Sequence, residues 1–174
     1  DNDLWFVLDR YGIVTVRSEF ARNQREVFAA AAAVGYPVVL KISSPDVNHK
    51  TDAGGVTLNI RTRSALARAY KEMRTNLKRA FPRAVINGFM VQNMVEGGRE
   101  IILGAKRDRQ FGPVVMFGLG GIHTEVLQDT TYGVSPLRPA DARKMLNQIK
   151  GAPIIDGIRG EKGLDKGFLV ESIL

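Results

Sequence analysis

The sequence of 174 residues has no cysteine and only two histidines. Without cysteine there is no disulfide scaffold and no thiolate metal site. No His/Glu spacing supplies a zinc site with a second histidine. No apolar run reaches the length of a membrane span, and no basic, apolar leader opens the chain, which fits a cytoplasmic protein without a membrane partner. Internal repeats and low-complexity linkers are lacking too. The first residue is Asp1 rather than methionine, as in a fragment or an excised domain. What remains is 44% apolar composition, enough for a real core, and a formal charge of +7. That charge suits a polyanionic or phosphorylated partner. No helix-turn-helix, stacking-aromatic or zinc pattern accompanies it, so nucleic acid is not the expected partner.

Short apolar runs edged by turn residues predict strands over Gly12–Val16, Tyr36–Ser43, Gly55–Ile60, Ile86–Val95, Arg99–Lys106, Gly112–Gly118, Gly121–Asp129 and Thr131–Leu137. Helices are expected over Asn23–Val34, closed by Gly35, over Ser64–Phe81, and over Pro139–Lys150. In the second helix Leu66, Tyr70, Met73, Leu77 and Phe81 form one apolar stripe. The glycine-rich stretch Gly151–Gly167 reads as irregular. This order is an α+β pattern with mixed or antiparallel sheets. The sheet pattern restarts near Gly88–Gly98, which suggests two lobes, residues 1–90 and 91–174.

Three places carry chemistry. Lys41 ends the apolar run Val38–Ile42, and strand alternation puts it on the face of Val39. A lysine there either snorkels out of the strand end or serves an anion in a cleft. The loop after it holds His49, Lys50 and the pair Gly54-Gly55. Paired glycines let backbone N–H groups surround phosphate oxygens, Lys50 adds a point charge, and a neutral imidazole is a competent nucleophile towards phosphorus. On the sequence pattern alone, His49 reads as a surface-loop histidine with no role. The third place is Gly118 to Asp129. Its G-x-G-G does not open a helix, so it is not a dinucleotide fingerprint. Glu125 and Asp129, with His123 near them, are either a cation or basic-partner site or a solvated strand face.

The runs "YGI", "GYPVVLKISSPDVNHKTDAGGV", "VQNMVEGGREIILGAKRDRQFGPVVMFGLGGIHTEVLQD", "SPL" and "GIRGEKGLD", in this order, make the chain resemble the ATP-grasp domain of the ADP-forming (NDP-forming) acyl-CoA synthetases, relatives of the succinyl-CoA synthetase β subunit. The resemblance implies an ATP-grasp fold, with nucleotide held between two α+β lobes. It implies that Lys41 contacts nucleotide phosphates, that Gln92, Asn93, Met94 and Val95 read the adenine edge, that Glu100 lies near the ribose, and that Gly54 and Gly55 belong to a phosphate-covering loop beside Lys50. His49 then matches a histidine that relays a phosphoryl group. The implied reaction converts acyl-CoA, ADP and phosphate reversibly into acid, CoA and ATP, with Mg²⁺ as cofactor and the CoA-binding and ligase regions as partners. The family pattern continues into a strand reading roughly Glu-x-Asp-x-Asn-Pro, whose side chains hold Mg²⁺. Nothing here matches it, so the second lobe is expected to be incomplete and the chain alone inactive. His123 stands where the family more often has an apolar residue. The alternative is a non-catalytic sensor module fused to a protein acetyltransferase.

Overall fold

A computed structural model describes residues 7–47, 50–121, 128–158 and 160–174. His49, His123 and Glu125 lie outside the described residues. The chain divides into two compact units, Asp1–Glu96 and Gly97–Leu174.

The first unit is a four-stranded antiparallel sheet with two helices on one face. The strands are β1 (Ser18–Ala21), β2 (Val38–Ser43), β3 (Val56–Ile60) and β4 (Gly88–Asn93), in the order β1-β4-β2-β3. The helices are α1 (Gln24–Val34) and α2 (Arg63–Ala80). Asn23 caps α1 by accepting from the Glu26 N–H, and Thr62 caps α2 by accepting from the Ala65 N–H. The helical stripe Leu66, Tyr70, Met73 and Leu77 is buried as its spacing predicts, against Val38, Leu40, Ile42, Phe89 and Val91 of the sheet. Phe81 falls outside the helix and remains half-exposed. A boundary at 90/91 would cut β4, which is paired along its length with β1 and β2 and so stays in the first unit.

The expected strand at Gly12–Val16 does not form, and Val14 is exposed. The strand that does form, β1, is Ser-Glu-Phe-Ala. It is selected by the free edge of β4, which pairs Ser18 with Gln92 and Ala21 with Phe89, rather than by its own apolar content.

The second unit has the antiparallel sheet β5-β6-β7, with β5 at Ile101–Asp108, β6 at Gly112–Leu119 and β7 at Thr130–Val134. One face is covered by α3 (Pro139–Gln148), α4 (Ala152–Asp156) and α5 (Lys166–Ile173), around Phe117, Met145, Leu146, Ile155 and Leu169. The stretch read as irregular therefore holds a short helix, started at Gly151 and stopped at Gly157, whose Ile155 anchors it in the core. Helix α5 is also additional to the sequence reading. Its cap is Asp165, which accepts from the Phe168 N–H.

Candidate functional site

Strand β2 has Val38, Leu40 and Ile42 in the core beneath the helices. Alternation therefore turns Val39 and Lys41 to the sheet's other face. Pairing fixes their neighbours there. Lys41 is opposite Met90 on β4 and Val56 on β3, and Met90 is in turn opposite Phe20. Val39 is opposite Gln92, which places Gln92 diagonally next to Lys41 on that face. Gln92 is buried.

Lys41 is half-buried in this mostly apolar row. Desolvation lowers its pKa from the ordinary lysine value, and the charge of Lys50 lowers it further. The charge of Lys50 thus acts on Lys41 within β2, and an anion placed beside Lys41 would offset it.

The turn after the loop is built from its own backbone. Gly54 N–H donates to the Thr51 carbonyl (3.0 Å), Gly55 N–H to the Lys50 carbonyl (2.6 Å), and Ile42 N–H to the Gly55 carbonyl (2.8 Å). In this arrangement the two glycine N–H groups close the turn and do not project towards a ligand. Gly54 has φ of +67°, and a Cβ on Gly55 would come within 2.5 Å of Ile42 Cγ2. The glycine pair therefore has a steric reason of its own: it lets the loop close down on β2 and fixes Lys50 beside Lys41.

At the end of β4, Asn93 N–H donates to the Arg17 carbonyl (2.9 Å) and Met94 N–H to the Pro37 carbonyl (3.0 Å). The Asn93 side chain reaches the Gly35 carbonyl (3.4 Å). These bonds hold the end of β4 against the segments before β1 and before β2. Strand pairing stops at Asn93, and the Val95 side chain is exposed.

In the second unit, Glu100 precedes β5. Its carbonyl accepts from the Gly120 N–H (2.7 Å), and its carboxylate lies over Gly121. A Cβ on Gly120 would come within 2.8 Å of Glu100 Cβ, so the backbone at 120 can approach only without one. Gly98, Glu100, Gly120 and Gly121 line an open cavity of about 480 Å³. Arg99, beside Glu100, is a residue that sequence reasoning did not single out. Its guanidinium donates to the Ile154 carbonyl and pairs with Glu161, tying the start of β5 to the segment around α4. The legible signal was that "REI" and "GIRGEKGLD" both belong to the resemblance.

Asp129 is a structural anchor. Its carboxylate accepts from the Lys150 and Gly151 N–H groups, each at 2.6 Å, and so caps the junction of α3 and α4. Neither Gln128 nor Asp129 is in a strand. Among the described residues no three acidic or histidine side chains converge. Among them, too, no helix is long and apolar enough to cross a membrane.

Comparison with known proteins gives one answer. Residues 4–174 match the ATP-grasp domain family. The acetate–CoA ligase [ADP-forming] I of Archaeoglobus fulgidus is 44% identical over 168 residues, which are 97% of this chain and 24% of that protein. The acetate–CoA ligase [ADP-forming] I subunit beta of Pyrococcus furiosus is 42% identical over 168 residues, 97% of this chain and 72% of that subunit. The chain thus spans about a quarter of the first relative (24%) and nearly three quarters of the second (72%). Among solved structures, the dinucleotide-forming acetyl-coenzyme A synthetase 1 of Candidatus Korarchaeum cryptofilum, in complex with coenzyme A, Ca-AMPCP and HgCl⁺, superposes with a TM-score of 0.91 at 38% identity, over 99% of this chain and 75% of that one. The same synthetase with coenzyme A and Mg-AMPPCP, its phosphohistidine segment pointing towards the nucleotide-binding site, gives 0.79 at 34% identity, over 99% and 74%. With an antiparallel α+β unit that carries a half-buried lysine, and a second antiparallel unit after it, the chain belongs to the ATP-grasp domain family, in the branch of the ADP-forming acyl-CoA synthetases.

Proposed function

We propose that this chain is the nucleotide-binding part of an ADP-forming acyl-CoA synthetase, and that it moves a phosphoryl group between phosphohistidine and ADP. The observation that carries the reading is Lys41: a cation on the face of the first sheet opposite α1 and α2, half-desolvated and next to Lys50. A phosphate tail supplies the missing negative charge. Gln92, Asn93, Met94 and Val95 hold the base, with Val95 just past the paired strand. Glu100 takes the ribose hydroxyls, and Gly54 and Gly55 set the position of Lys50.

The phosphoryl step is balanced by one proton. A phosphohistidine and ADP give ATP and a free imidazole: the N–P bond breaks, an O–P bond forms to the terminal oxygen of ADP, and the ring nitrogen takes up a proton. His49 is the relay residue on this side. The chain's contribution is positioning and charge neutralisation, since the transfer needs little covalent help. Coupled to acyl-phosphate formation on the CoA-binding and ligase regions, the sum is acyl-CoA, ADP and phosphate going to acid, CoA and ATP. Magnesium, which the Korarchaeum structure holds with its nucleotide analogue, supplies charge neutralisation on the phosphates.

The test uses the complete synthetase carrying this chain. His49→Ala should abolish ATP formation and acid-labile phosphorylation of this chain while Mg·ADP still binds by calorimetry. Full activity in that variant removes the relay. Unchanged Mg·ADP affinity in Lys41→Ala removes the nucleotide reading.

A further inference from the structure

The excess charge of the chain is concentrated in one stretch. Between Arg61 and Arg83 there are eight lysines and arginines against one acid, Glu72, an excess equal to the +7 of the whole chain. Most of it is on α2. Arg68, Lys71, Arg74 and Lys78 recur every three or four residues on the side away from the buried stripe, over about 15 Å of helix. Among the described residues only Arg61 of the eight has a carboxylate partner, Glu96. Lys78 and Arg79 are in the last turn, where the helix carbonyls favour cations. Arg68, Lys71 and Arg74 have no such compensation, and like charges at these spacings weaken a free helix.

The row borders a groove of about 630 Å³. Arg68, Lys71, Arg74 and Lys78 form one side, and Phe81, Pro82 and Ile86 contribute an apolar side. No acidic side chain lines it. A charged row beside an apolar wall is amphipathic, and its complement has carboxylates along one edge and apolar groups along the other. A nucleic-acid backbone lacks the apolar edge. The ring of Tyr70 is 6% exposed and closed by the Arg74 guanidinium, so it offers no stacking surface. A lipid surface is flat, whereas this site is concave.

We propose that the α2 groove is the docking site of an acidic, amphipathic polypeptide segment, with its carboxylates along Arg68, Lys71, Arg74 and Lys78 and its apolar residues on Phe81 and Ile86. The site is independent of the nucleotide reading, because none of its residues belongs to the Lys41 face.

The test is fluorescence anisotropy on the full chain with a labelled helical peptide of about 14 residues, long enough to run the row, with glutamates at three- and four-residue spacing and leucines on the adjacent edge. Controls are a scrambled isomer, a DNA duplex and phosphatidylserine vesicles. The expected result is tighter binding of the patterned peptide than of all three controls, weakening with salt. Triple reversal by Arg68→Glu, Lys71→Glu and Lys78→Glu should weaken it by about tenfold or more. The same reversal at Lys106, Arg107 and Arg109 should not. Circular dichroism confirms that α2 remains folded. Equal binding of the isomer, tighter binding of the duplex or the vesicles, indifference to the α2 reversal, or no binding of the peptide overturns the proposal.

Discussion

Replacing Lys41 by methionine separates ligand binding from stability, because the two should move in opposite directions. In the folded chain the ammonium is half-buried among Met90, Val56 and Val39 and is repelled by Lys50. Its pKa is lowered from the ordinary 10.5, first by desolvation and second by Lys50. The protonated group therefore disfavours the fold at neutral pH. Methionine keeps the length of the side chain and suits its apolar neighbours, so Lys41→Met should melt at the same temperature or higher. A phosphate bound at Lys41 loses a charge-assisted hydrogen bond of about 1.5–3 kcal/mol, a factor of about 10 to 150 in Kd. Calorimetry with Mg·ADP and thermal unfolding of the same samples read both. pH supplies a further check. Between the lowered value and 10.5 the unfolded chain holds more protons than the folded one, so the lysine's unfavourable contribution is complete below the folded pKa and is lost as pH rises towards 10.5. The stability gap between variant and parent should narrow over that range. A variant that binds Mg·ADP as the parent does, or that is clearly less stable, refutes the argument.

The other expectations concern how the site is held. Gly55→Ala forces a methyl to within 2.5 Å of Ile42 Cγ2 and should cost about 1–3 kcal/mol in urea unfolding. Asp129→Ala leaves the Lys150 and Gly151 N–H groups without their carboxylate and should destabilise the second unit by about 2 kcal/mol, read by denaturation, with Mg·ADP affinity little changed. Arg99→Ala cuts the tie from β5 to Ile154 and Glu161; hydrogen exchange at the Leu164 N–H, which donates to the Ile155 carbonyl, should quicken by about tenfold.

The core-facing pattern was legible because it repeats. The four-three-four spacing from Leu66 to Leu77 and the apolar run of β2 each bury what they predict. What was not legible depends on partners distant in sequence. Strand β1 has one buried residue, Ala21, and exists because β4 offers it an edge. Helix α4 has five residues, too few for a periodic signal, and is secured by Ile155 and by the Arg99 tie. Asp129 looked like half of an acidic pair because its acceptors' partners, the N–H groups of Lys150 and Gly151, are more than twenty residues away.

Of the signals for a nucleotide, the glycine pair is the weakest and the lysine the strongest, for one reason. A feature counts towards a ligand to the extent that the fold leaves it unexplained. Gly54 and Gly55 are accounted for by the turn they close and by the contact with Ile42. Lys41 has no such account: a solvated sheet face would carry polar residues at every outward position of β2, and a covered one would carry apolar residues at every one. Here Val39 is buried, and Lys41, two residues on, is half-buried, with Met90 and Val56 beside it. A ligand suited to Lys41 on that face is anionic, with an apolar part for Met90 and Val56. A nucleotide, with a flat base and a charged tail, has this polarity; an inorganic anion has only the charged half of it. Affinity for ADP well above that for pyrophosphate therefore follows from the row itself, and equal affinities would mean that the apolar half of the face serves something else.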